Sequence, residues 1–265
     1  MTSPEAPRRR QRRLRWVVAC VLLTGIIIAI RMALFRPEAP PQVTEDRVVI
    51  ARSRCEKELR AAFTKAGVRW PADEIFLRGL KRERQLELWA RDREGESFRL
   101  VRAYPILAQS GGPGPKRREG DRQVPEGSYE VDRFNPLSAF HLSLGLNYPN
   151  ASDIILGDPV SPGFDIFIHG GEPSIGCLAL GDPAMGEIYL AALDSRARPI
   201  RVHIFPGRID APDWPAWRDS HLADQPGWEP LWAQCAEAWT RFAKDGRVPI
   251  VEFAPDGGCR IQAGK

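Results

Sequence analysis

Residues Phe164-Asp165-Ile166-Phe167-Ile168-His169-Gly170-Gly171-Glu172-Pro173-Ser174-Ile175-Gly176-Cys177 stand near the middle of the chain. The first five read as a buried β-strand. Gly170 and Gly171 end that strand and allow a sharp turn. A Ser-x-Gly-Cys turn then returns Cys177 after a short loop, close enough for its sulfur to meet the His169 imidazole. A cysteine beside a histidine is an acyl-transfer nucleophile with its general base. A glycine-flanked turn exposes a sulfur, whereas a structural thiol is usually hidden. His169 is expected to lower the thiol pKa or to take its proton, so that Cys177 titrates below an ordinary cysteine. Backbone N–H groups around Gly176 and Cys177 are expected to hold the oxyanion, with Gly170 and Gly176 shaping the turns.

Working outward, residues 46–67 read as an amphipathic helix that Gly67 stops. From Glu74 the pattern changes to short strands at 74–78, 86–90 and 98–104, with a hairpin turn at 92–95 between the last two. Residues 109–120 form a Gly/Pro-rich basic loop carrying Lys116, Arg117 and Arg118, read as solvated. Further strands are expected at 128–134, 139–146, 164–168 and 200–205, and a helix at 183–194. Short strands dominate, which predicts a mainly β protein, a β-sandwich with a few helices. Residues 206–227 are rich in Pro and Trp, with Trp214 and Trp217 as packing anchors. A helix at 231–242 and a hairpin of 249–253 with 260–262 complete a small α/β C-terminal extension.

His169, Gly170, Ser174, Gly176 and Cys177 together match the signature of the L,D-transpeptidases, the YkuD-type peptidoglycan enzymes. Gly120-Asp121-Arg122-Gln123-Val124-Pro125-Glu126-Gly127-Ser128-Tyr129 resembles that family's Pro-x-Gly-x-Tyr hairpin. Asn135-Pro136-Leu137-Ser138-Ala139-Phe140-His141-Leu142-Ser143-Leu144 with Tyr148-Pro149-Asn150 resembles its YafK-like murein L,D-transpeptidase or amidase branch. The resemblance covers roughly residues 75–206. It implies the β-sandwich fold, a Cys177 nucleophile, a His169 base and peptidoglycan stem peptides as the partner. Ser174 and His141 become candidates for lining the substrate pocket. Many members carry Arg or Asn two residues after the cysteine; here that position is Ala179.

The amino terminus has a different character. Residues 16–35 are almost wholly apolar, just long enough to span a bilayer, and six arginines from Arg8 to Arg15 precede them. Residues 1–36 therefore read as a basic cytoplasmic tail with a transmembrane signal anchor. Residues 37–73 follow as linker and helix, 74–206 as catalytic domain and 207–265 as extension. This places the protein in the inner membrane with the catalytic domain in the periplasm. The alternative is a periplasmic protein after signal-peptide cleavage. The net charge of +4 is local, because residues 1–36 hold eight arginines against one glutamate. The remainder is mildly acidic, which excludes a nucleic-acid footprint.

Of the five cysteines, Cys20 falls in the apolar run, and Cys55, Cys235 and Cys259 remain beside Cys177. A periplasmic location would permit one disulfide among those three without specifying the pair. His141, His169, Cys177 and His203 match no zinc spacing, so no metal or cofactor is expected. The leading reading is a transpeptidase that forms an acyl-enzyme with a stem peptide and passes it to an amine. The alternatives are amidase or L,D-carboxypeptidase-type hydrolysis of the same linkages, or a non-catalytic peptidoglycan-binding protein.

Overall fold

A computed structural model describes residues 46–264. The first helix, α1 (Arg47–Ala66), follows the expected bounds. The Asp46 carboxylate caps it by accepting from the Val48 N–H at 2.9 Å. Gly67 ends it at φ 70°, a left-handed conformation that glycine adopts without strain.

Eight strands follow: β1 (Glu74–Leu80), β2 (Gln85–Arg91), β3 (Arg99–Pro105), β4 (Gly127–Asn135), β5 (Ser143–Leu146), β6 (Phe167–His169), β7 (Leu178–Ala179) and β8 (Arg201–Phe205). They hydrogen-bond in the order β3-β2-β1-β8-β4-β5-β6-β7. The β1/β8 and β6/β7 pairs are parallel and the rest antiparallel. The core is thus β-built with helices around it. Its strands join into one continuous sheet rather than into the two separate sheets of a sandwich. β4 is the link: residues 127–130 pair with β8, and residues 131–135 pair with β5, with a register shift between Val131 and Arg133. Such an irregularity lets one strand serve two differently oriented halves.

The helices are α2 (Ala151–Leu156), α3 (Asp182–Asp194), α4 (Trp214–Asp224) and α5 (Glu229–Asp245). A hairpin of β9 (Ile250–Phe253) and β10 (Cys259–Gln262) completes the extension. Two expected strands are shorter than the pattern suggested. Residues 139–142 are not strand, because His141 sits at φ 65°, and β6 begins only after Asp165 at φ 57°. A residue in the left-handed region cannot continue a pleated strand.

β1 is buried along its whole length because both faces of the sheet are covered there. Ile75 and Leu77 pack with Leu59 and Phe63 of α1 and Ile188 of α3. Alternation sends Phe76, Arg78 and Leu80 to the other face. There the C-terminal extension docks. The Arg78 guanidinium lies 4.3 Å from the Trp239 ring centroid and 5.1 Å from that of Phe242, both on α5. It pairs with the buried Glu87 at 2.6 Å. The extension therefore shares a core with the sheet.

The expected basic loop is not simply solvated. Lys116 is buried, bonded to Asp121 at 2.7 Å and to the Arg118 carbonyl. At its end Glu126 meets Lys81 at 2.9 Å, the Gly114 N–H at 2.9 Å and the Trp232 indole N–H at 2.7 Å. This buried cluster ties the loop to both the sheet and the extension.

Cys55, Cys177, Cys235 and Cys259 are free thiols. Cys235 and Cys259 line one small cavity between α5 and β10, whereas Cys55 rests against Pro183 and Gly186. No helix among the described residues is long and apolar enough to cross a membrane. The anchor expected at residues 16–35 and Cys20 lie outside the described residues.

Candidate active site

Register places the site on one face of β4–β7. Phe134, Leu144, Ile168 and Leu178 face the core, where Leu144, Ile168 and Leu178 are fully buried. Their neighbours face the other way. One cross-strand row is Asn135, Ser143 and His169. The next is Arg133, Gly145 and Phe167. Cys177 immediately precedes β7 and so stands beside Phe167 in that second row. His169 and Cys177 share a cleft of about 410 Å³ whose other walls include Asn135, Phe140, Ser143, Asp165, Phe167 and Ser174.

The imidazole is oriented by its own turn. Its Nδ1 lies 2.6 Å from the Gly170 carbonyl oxygen. A carbonyl only accepts, so Nδ1 carries the proton and Nε2 keeps a lone pair. Phe140 stacks on the ring at 4.9 Å between centroids. Burial lowers the His169 pKa from its ordinary value, against the Gly170 carbonyl that raises it, so the ring is neutral at neutral pH. Gly170 is required by close packing: a Cβ there would lie 2.7 Å from Asp182 Oδ1 and 2.9 Å from the Phe140 carbonyl.

The thiol is held by backbone. Sγ accepts from the Phe167 N–H at 3.4 Å and donates toward the Asp165 carbonyl at 3.7 Å. Its hydrogen bonds thus go to the β6 segment and not to the imidazole. Burial is the largest influence on the thiol and raises its pKa above 9.0, with the Asp165 charge adding to it. The Phe167 N–H and Lys116 pull the other way. The expectation of a cysteine titrating below the ordinary range is therefore corrected. The resting pair is neutral thiol and neutral imidazole, because desolvation disfavours both ions. Iodoacetamide alkylation of Cys177 in the substrate-free protein should keep rising with pH through pH 9 without levelling off, as for a thiol whose pKa burial has raised. An inflection near pH 7, read by peptide mass spectrometry, would contradict this arrangement.

Ser174 and Gly176 shape the nucleophile turn. The Ser174 hydroxyl donates to the Cys177 carbonyl at 2.7 Å and also lines the cleft. Gly176 adopts φ 84°, where its missing Cβ removes the usual steric penalty. The Gly176 N–H, expected to face the oxyanion, instead donates to the Ser110 hydroxyl at 2.7 Å. The hydroxyl in turn donates to the Arg122 carbonyl. Ser110 lies 66 residues from Gly176 and has no local signature. The N–H of Cys177 is left as the candidate oxyanion donor.

His141 does not join the cleft wall; its neighbour Phe140 does. The left-handed turn at His141 redirects the chain, and its carbonyl accepts from Arg47 at 2.6 Å. Arg47 also binds the Ser138 carbonyl, so α1 holds the loop that carries Phe140. His203 sits in the core between Phe76 and Phe205. Among the described residues no three His, Cys, Asp or Glu side chains gather as metal ligands.

A cysteine and a histidine thus share one cleft on a mainly β fold. Over 182 residues the chain is 31% identical to YafK of Escherichia coli (strain K12), whose L,D-transpeptidase name is a provisional one; the match covers 67% of this chain and 70% of YafK. YafK of Escherichia coli O157:H7 matches equally. The chain belongs to the YafK-like branch of the L,D-transpeptidase family. No family model matches it. Among solved structures, the helical cell shape determining protein Pgp2 of Campylobacter jejuni is 19% identical, with TM-score 0.42, over 68% of this chain and 73% of that one. Bd1075 of Bdellovibrio bacteriovorus is also 19% identical, with TM-score 0.39, over 59% of each chain.

Proposed function

We propose that the protein is a peptidoglycan L,D-transpeptidase in which Cys177 is the nucleophile and His169 the general base. The observation that carries this reading is the shared cleft: a neutral imidazole with a free Nε2 at the end of β6, and a thiol at the entry to the adjacent parallel strand β7. As the sulfur attacks an amide carbonyl of a stem peptide, Nε2 takes the thiol proton. The developing charge then never rests on an isolated thiolate, which suits a thiol that burial keeps neutral. The Cys177 N–H holds the oxyanion. His169 returns the proton to the leaving amine, and a thioester remains on Cys177. An incoming amine, deprotonated by His169, gives a cross-link; water gives hydrolysis.

Exposed apolar side chains line the cleft, Phe140 at 42% and Ile175 at 75%. Such exposed apolar surface beside the nucleophile suits a peptide or glycan partner. The N-terminal apolar run behind its arginines supports anchoring in the inner membrane, with this cleft in the periplasm. The test is incubation with disaccharide-tetrapeptides followed by mass spectrometry. Cross-linked dimers are the expected product. Trimmed monomers would instead assign the hydrolytic reaction, and unchanged substrate would refute both.

A further inference from the structure

The row that contains the nucleophile begins with a cation. Arg133, Gly145 and Phe167 are in register across β4, β5 and β6, and Phe167 holds the Cys177 sulfur. Gly145 has no side chain, so the Arg133 side chain lies flat across it. A Cβ at Gly145 would come within 2.7 Å of Arg133 Nε. The guanidinium thereby reaches the Phe167 ring, 4.9 Å from its centroid. It pairs there with Asp165 at 2.8 Å and with Asp132 at 3.0 Å. Phe167 and Asp165 are both walls of the cleft.

This ion pair is open to solvent: the side chains of Arg133 and Asp165 are 44% and 61% exposed. Exposed pairs contribute little stability, so a ligand can exchange them at small cost. The family position that often carries a cation offers none. Ala179 is fully buried, paired with His169 and bonded to the Ala108 carbonyl. Arg133 instead touches two walls of the cleft, Phe167 and Asp165.

We propose that Arg133 and Asp165 form a subsite for a zwitterionic α-amino acid head, the free end of the stem peptide's diamino acid. The guanidinium takes the carboxylate in a charge-assisted, two-pronged hydrogen bond, and the Asp165 carboxylate takes the ammonium. The ligand's two charges replace the two partners that Arg133 and Asp165 are to each other. Both groups therefore stay paired throughout binding. The subsite rests on the proposed stem-peptide substrate, but its test is binding rather than turnover.

The probes are a disaccharide-tetrapeptide with a free diamino acid head, the same molecule with that carboxylate amidated, and one with that amine acetylated. Calorimetry would measure their affinity for the full-length Cys177→Ala protein, which cannot consume them. Amidation or acetylation should each weaken binding by about two- to fivefold, the loss expected for one exposed ion pair. Adding Arg133→Gln should abolish discrimination against the amide while retaining that against the acetyl probe. Asp165→Asn should do the reverse. Binding of the amidated probe at parent strength shows that the Arg133→Gln protein is folded. Equal affinity for all three probes, discrimination that survives Arg133→Gln, or no binding would each overturn the subsite. Acylation of Cys177 by a carbapenem decides the catalytic reading separately, so the two can fail independently.

Discussion

Replacing Cys177 with alanine is expected to reduce product formation from disaccharide-tetrapeptides to the uncatalysed level, a loss of roughly 10⁴-fold or more. The sulfur forms the acyl bond, and neither His169 nor Ser174 can stand in for it. His169 is buried and oriented by the Gly170 carbonyl, and Ser174 spends its hydroxyl proton on the Cys177 carbonyl. Stability should change little, within about 1 kcal/mol, because the thiol's only polar partners are a Phe167 N–H and an Asp165 carbonyl at long range. Unchanged thermal melting with absent product is the expected pair of results. Turnover by the mutant at the parent rate would end the mechanism.

The largest loss of stability is expected at Glu126, far from the chemistry. Its side chain is fully buried and partners Lys81, itself 4% exposed. Glu126→Ala leaves the Lys81 ammonium buried with only the Gly114 and Val124 carbonyls, and orphans the Gly114 N–H and the Trp232 indole. Breaking one partner of a buried pair costs about 3–5 kcal/mol. For a domain of this size that lowers the melting temperature by roughly 10 °C. The same residue ends the loop whose Ser110 holds the Gly176 N–H. Activity at a temperature where the mutant remains folded should therefore fall as well. Calorimetry and the product assay check the two effects, and a melting temperature within a degree of the parent would contradict this account of the cluster.

The parts legible in the sequence are those governed by neighbours in the chain. Asp46 and Gly67 bracket α1 because capping is local, and alternation marks β1 to β3 for the same reason. His169 and Cys177 are readable together because one short turn joins β6 to β7. Other features depend on distant partners. Phe140-His141-Leu142 alternates like a strand, yet Phe140 faces the cleft and Leu142 the core across a left-handed turn. α4 hides in a Pro- and Trp-rich stretch because its stability comes from Trp214 and Trp217 against Trp232 of α5. α2 exposes Ile154, Ile155 and Leu156, so its pattern lacks a helix's polar face. Ser110 meets the nucleophile turn only through its long-range bond with the Gly176 N–H, and Arg133 meets Phe167 only across the sheet. The raised thiol pKa follows from burial, which no local motif encodes.

The central claim is that Cys177 accepts an acyl group with help from a neutral His169. The most direct measurement is intact-protein mass after incubation with a carbapenem at pH 7, with the adduct mapped by peptide mass spectrometry. One adduct on Cys177 is expected, absent in Cys177→Ala and formed far more slowly in His169→Ala. No adduct, an adduct on another residue, or equal rates with and without His169 would contradict the account.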